Sequence, residues 1–227
     1  MDPILQFDQV TLPATDRSEQ AVSGVHFALC PGDLLLVEIS DLSSCPPLAD
    51  VAQGLMTPEA GTVRIGGREW SSYSPDEEAH WRHRIGRVFG EQAWLSNLDV
   101  DENITLSQRH HTRRPIAEIN DEALSWATRF NRSALPVGRP AWTSKHELMI
   151  AQWIRAFVGD PVLFILERPT RDTASAERAK FVDALSERRQ AGAVVLWLTP
   201  DLRVVEDVGL VDIQQARLME NGWEMLK

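Results

Sequence analysis

The chain has 227 residues, a formal charge of −10 and 43% hydrophobic residues, which allows one large domain or a core with a smaller insert. The acidic balance argues against nucleic acid as a partner, and no apolar run approaches the ~18 residues that a membrane-spanning helix needs. Two cysteines, Cys30 and Cys45, and no charged-then-apolar opening fit a reducing, cytoplasmic compartment.

In chain order, ILQFDQVTL and SGVHFALCPGDLLLVEIS alternate or run apolar as strands do, with Pro31-Gly32 as a turn. Residues 33 to 55 read as a buried strand, a short polar loop and an amphipathic helix ending at Gly54, the layout of a phosphate-binding loop. GTVRIGGREW is one more strand with a Gly66-Gly67 turn. The acidic residues and Pro75 of SSYSPDEEAHWRHR start a helix, and IGRVF returns to the sheet. From about Glu91 to Trp142 the pattern is helical and polar, with a basic loop RHHTRRP in its middle. PVLFILE and AVVLWLTP are buried-strand runs separated by the helix SAERAKFVDALSERRQAG, a spacing that implies a parallel sheet.

A phosphate-binding loop uses glycines so that N–H groups can curl round phosphate, a lysine for the terminal phosphates and a hydroxyl for magnesium. Counted back from Gly54-Leu55 without a gap, the glycine positions hold Ile39, Leu42 and Ser44, the lysine position Cys45 and the hydroxyl position Pro46. Pro46 and Pro47 suit the first turn of a helix while removing two N–H donors. Ser43 and Ser44 are the residual polar groups of the loop.

These landmarks, with GLMTPEAGTVRIGG, RIGRVF…WLSNLDVDENITL, IRAFVGDPVLFILERPT and LWLTPD, resemble the nucleotide-binding subunit of ABC transporters over almost the whole length. The resemblance implies an α/β fold with a P-loop NTPase-like core, a mixed or parallel sheet, an antiparallel β subdomain and a helical insert. It implies a single unit over 1–227, with 1–90 and 150–227 as core plus β subdomain and 91–149 as helical lobe. ENITL followed by RHHTRRP resembles a loop in the ATPases of Mla/MCE-type phospholipid transport.

The motif positions carried over by this resemblance are substituted. Glu167 and Arg168 stand at the paired acids after the second strand motif, and a guanidinium cannot accept a proton from attacking water. Gly90 falls on the Q-loop glutamine, with Gln92 two residues on. Pro200 falls on the switch histidine and Ala174 on the D-loop aspartate. TSKHE replaces the signature, keeping Ser144, and Lys145 and His146 are expected to prop the opposite subunit away. Arg168 is expected to pair with Glu38 or another acidic neighbour.

The expectation is therefore a subunit that does not hydrolyse ATP and binds magnesium-ATP weakly or not at all, with no metal. It would dock on a membrane permease at the inner face of the cytoplasmic membrane, as a homodimer or with another ATPase subunit. Glu91, Gln92, Trp94 and Leu95 are the candidate permease contacts, because a helix-in-groove interface needs an apolar anchor. The alternatives are a divergent, slow but genuine ATPase, or a soluble regulatory module.

Overall fold

The computed structural model describes residues 2–16, 18–39, 45–91, 93–204, 210–219 and 222–226. Strands β1 (Leu5–Leu12), β2 (Val22–Leu29), β4 (Ala60–Ile65) and β5 (Arg68–Glu69) form an antiparallel sheet in the order β2-β1-β4-β5. A six-stranded mixed sheet runs β10-β9-β3-β8-β7-β6, built from β3 (Leu34–Ile39), β6 (Ile85–Val88), β7 (Leu163–Glu167), β8 (Val194–Thr199), β9 (Gln214–Met219) and β10 (Gly222–Met225). Only β10 is antiparallel to its neighbour.

The large sheet is covered on both faces, which is why its central strands are continuous apolar runs. Alternate residues serve opposite clusters. Leu34 and Leu36, Phe164 and Leu166, Val195 and Trp197 face the helices, whereas Leu35 and Val37, Leu163 and Ile165, Leu196 and Leu198 face the antiparallel sheet. Helices α3 (Val100–His111), α4 (Ile116–Arg129), α5 (Lys145–Phe157) and α6 (Ser175–Gln190) close the first cluster. Its centre is aromatic, with Phe157 in ring contact with Trp126, Phe130, Phe164 and Phe181. Helices α1 (Leu48–Ala52) and α2 (Pro75–Arg82) complete the fold on the other side.

Three local expectations change. The helix after β3 is only five residues long, with Pro47 at its N-cap position making no side-chain cap, and Gly54 lies beyond it in a left-handed conformation (φ +68°). Arg109, His110 and His111 form the last turn of α3 rather than a loop, where the Arg109 guanidinium complements exposed carbonyls. The β9–β10 hairpin, which the sequence pattern did not announce, forms one edge of the large sheet and lays Trp223 against Phe27 of the antiparallel sheet, 5.6 Å between ring centroids. No described helix is long and apolar enough to cross a membrane.

Candidate functional site

Parallel strands end together, and the loops leaving their carboxyl ends frame a crevice where open α/β sheets bind ligands. Here that crevice is a pocket of about 510 Å³, bordered by Cys45, Pro46 and Asp50 after β3, by Phe89 and Gly90 after β6, and by Glu167 and Leu198 at the ends of β7 and β8. The sequence-derived positions Cys45, Pro46, Gly90 and Glu167 thus meet at one place. Ser43 and Ser44, together with Leu42, lie outside the described residues, as does Gln92.

Arg87 organises the pocket. It sits on β6 with its side chain 7% exposed, and donates from Nε and Nη2 to Glu167 Oε1 at 3.0 and 2.8 Å. Its Nη1 reaches Gln53 Oε1 at 2.7 Å and lies 2.7 Å from Asp50 Oδ1. A guanidinium with several fixed donors suits this bridging of two carboxylates and an amide. Sequence reasoning missed Arg87; the available signal was a lone charge in a strand, IGRVF, otherwise fit for burial.

Cys45 is half-buried against the apolar cluster and its thiol donates to the Pro46 carbonyl at 3.2 Å. Arg168 follows β7 with a left-handed backbone, φ +47°, and its N–H donates to the Leu198 carbonyl at 2.9 Å. A positive φ in a residue with a long side chain is uncommon and marks a constrained turn. Glu38, the expected partner of Arg168, is instead held by Arg217 of β9, because the parallel register places those two residues level. Pro200 is exposed just beyond β8.

Ser144 caps α5, its hydroxyl accepting the Glu147 N–H at 3.1 Å. The His146 ring nitrogen lies 2.8 Å from Glu177 Oε2 on α6. Trp142, two residues before this cap, is 86% exposed. The three described candidate permease contacts, Glu91, Trp94 and Leu95, take different places. Glu91 borders the strand-end pocket, Leu95 borders a second groove beside α3 and is 50% exposed, and Trp94 is half-buried with the Arg155 guanidinium 4.5 Å above its ring.

The described residues fit a magnesium nucleotide in part. Glu167 is a carboxylate suited to a divalent cation, and Arg87 is the one cation among the described residues bordering the pocket. Both are already engaged with each other, so a phosphate would have to draw Arg87 away from its carboxylates. Cys45 and Pro46 supply neither the lysine nor the hydroxyl of the motif.

No protein-family model matches the chain. The lipoprotein-releasing system ATP-binding protein LolD of Idiomarina loihiensis is 23% identical over 225 residues, covering 97% of this chain and 96% of that protein. The macrolide export ATP-binding/permease protein MacB of Burkholderia thailandensis is 23% identical over 222 residues, covering 96% of this chain; the chain spans 34% of that protein's own length. Among solved structures, the dimeric ATP-binding cassette MJ0796 in a post-hydrolysis state bound to ADP and Pi superposes with a TM-score of 0.80 at 19% identity, covering 98% of this chain and 99% of that one. The structure of cbiO1 from Clostridium perfringens, part of the ABC transporter complex cbiONQ, gives 0.74 at 17% identity, covering all of this chain and 88% of that one.

The chain therefore has the ABC ATPase fold, with the mixed and antiparallel sheets expected. The expectations of a non-enzyme and of absent nucleotide are overturned by the same relatives, which include ATP-binding proteins in sequence and an ADP- and Pi-bound cassette in structure. The physical reason is that the crevice is built by the ends of the strands rather than by single motif side chains, and the strand ends are retained.

Proposed function

We propose that the chain is the nucleotide-binding subunit of an ABC-type transporter, a divergent and slow ATPase that works docked on a transmembrane permease at the inner face of the cytoplasmic membrane. The observation that carries this reading is the crevice at the carboxyl ends of β3, β6, β7 and β8, walled by Cys45, Arg87 and Glu167, within a chain that matches ATP-binding relatives from end to end. Slowness follows from chemistry: Arg168 takes the position of the general base and has no lone pair to accept a proton. Pairing with a second cassette accords with the dimeric cassette among its structural relatives. For cargo, the likeness of residues 102–115 to phospholipid-transport ATPases points to a lipid.

The test is phosphate release by the full chain with magnesium-ATP. The expected result is saturable turnover well below the ~10 s⁻¹ typical of enzymes, raised at least tenfold by Arg168→Glu. No release, with a melting temperature unmoved by millimolar magnesium-ATP, overturns the ATPase reading, since a ligand of the native state must raise it. Purification of the tagged chain from solubilised membranes should bring a permease with it.

A further inference from the structure

The strand-end pocket has the wrong sign for a nucleotide. Among the described residues that border it, Asp16, Asp50, Glu91 and Glu167 carry carboxylates, and Arg87 alone carries a positive charge. No lysine lines it among those residues. The nearest other buried cation, Arg155, borders the groove beside α3 instead and donates to the Ala93 carbonyl at 2.7 Å. Whatever holds the phosphates against these acids has to draw on Arg87.

The contacts of Arg87 differ in strength. Glu167, 15% exposed, takes both Nε and Nη2 on one oxygen, so stranding it would leave a buried charge unpaired. Asp50 is 41% exposed and meets only Nη1. Water screens such a pair, and a carboxylate released there stays hydrated, so this contact is the one that yields. Gln53 Oε1, the other partner of Nη1, is neutral. The Phe89 ring, its centroid 4.4 Å from the guanidinium carbon, adds a cation–π contact on a further side. A guanidinium can therefore keep one carboxylate on two nitrogens and still offer its remaining arm to an oxyanion, which a lysine ammonium does less well.

We propose that Arg87 is the phosphate-binding cation of this pocket in place of the motif lysine, its Nη1 passing from Asp50 to the terminal phosphates of a bound nucleotide while Nε and Nη2 stay on Glu167. The inference rests on the reading of the chain as an ATPase and adds the residue that recognises the phosphates. Asp50 is then a competitor built into the site. Its carboxylate claims the same nitrogen that the phosphate needs, and so weakens nucleotide binding without touching the nucleoside.

The full chain is titrated calorimetrically with ATP and with adenosine at constant magnesium. ATP should bind at least tenfold more tightly than adenosine. Asp50→Asn should tighten ATP at least threefold and leave adenosine unchanged, and Arg87→Gln should erase the preference for ATP. The gain from Asp50→Asn should vanish when Arg87→Gln is also present. A gain of the same size without the arginine overturns the proposal, because Asp50 would then merely repel phosphate. Because Arg87 also ties the sheet to α1, a second measurement keeps the fold intact: the Nε–Hε resonance of Arg87 in nitrogen-15 spectra of the unaltered chain, identified by its absence in Arg87→Lys. It should shift with ATP and stay still with adenosine; a resonance unmoved by bound ATP sinks the assignment. Equal ATP binding by the unaltered chain and by Arg87→Gln does the same and leaves the ATPase reading standing. No ATP binding by the unaltered chain removes both. ATP turnover does not enter these readouts.

Discussion

Arg87 and Glu167 meet on a diagonal across two parallel strands. Arg87 is level with Ile165, and Glu167 lies two residues further along the same face, so that Nε and Nη2 both reach Oε1. The third arm of the guanidinium turns to Asp50 and Gln53 at the α1 side. One side chain thus ties the edge strand, its neighbour and the loop-helix unit of the pocket.

Removing that arginine should be costly. Arg87→Met leaves Glu167, 15% exposed, without its counter-ion, and breaking a buried pair from one side costs about 3 kcal/mol. Urea unfolding of the single variant should show this loss. The double variant Arg87→Met, Glu167→Met should recover most of it, because no charge is then stranded.

Gly86 has no room for a methyl group. A Cβ there would lie 2.1 Å from the Ala156 carbonyl oxygen of α5 and 3.1 Å from the Phe164 ring. Gly86→Ala must push α5 off the sheet edge, and overpacking of this kind costs about 1–3 kcal/mol. The unfolding midpoint should drop while the denaturant slope stays constant.

Glu177 predicts an acid limb. Burial pushes its carboxyl up, but the hydrogen bonds from His146, the Ala174 N–H and Arg132 outweigh burial and hold the pKa at about 2, against 4.5 for the free group. A depressed carboxyl contributes stability that is complete above pH 4.5 and is lost as pH falls towards 2. Glu177→Gln should therefore be less stable at neutral pH and show a flatter decline across that window in thermal melts. An unchanged acid profile would mean the carboxyl is not held in this way.

Leu95→Asp tests docking at the groove rim. At 50% exposure the change should leave the melting temperature within about a degree or two. It should nonetheless abolish recovery of a permease from solubilised membranes. Full recovery would remove Leu95 from the interface.

Much of the fold was legible because the central strands advertise burial on both faces: VLFIL and VVLWL need no partner to be read as strands. The β9–β10 hairpin was not legible, since QQARLM is half polar and owes its place to pairing with β3, far away in sequence. The positions that border the pocket, Cys45, Pro46, Gly90 and Glu167, could be located by spacing. Spacing could not show that Arg87 would gather Asp50, Gln53 and Glu167 around itself, or that Arg217 would take Glu38 before Arg168 could. The reading of lost catalysis failed for a related reason, because substituted side chains were weighed without the crevice that the backbone still builds.

The order of strands in the large sheet also bears on how the chain is made. Leu34 of β3 is level with Val195 of β8, and Leu35 with Gln214 of β9, so both neighbours of the central strand come from the last stretch of the chain. During synthesis β3 leaves the ribosome early, as LLLVEI, with nothing to zip against until translation is nearly over. For most of that time an apolar strand with two open edges is held in a growing polypeptide. Folding efficiency in the cell should then depend on a holding chaperone, and ribosome pausing near residue 200 would set how long that dependence lasts.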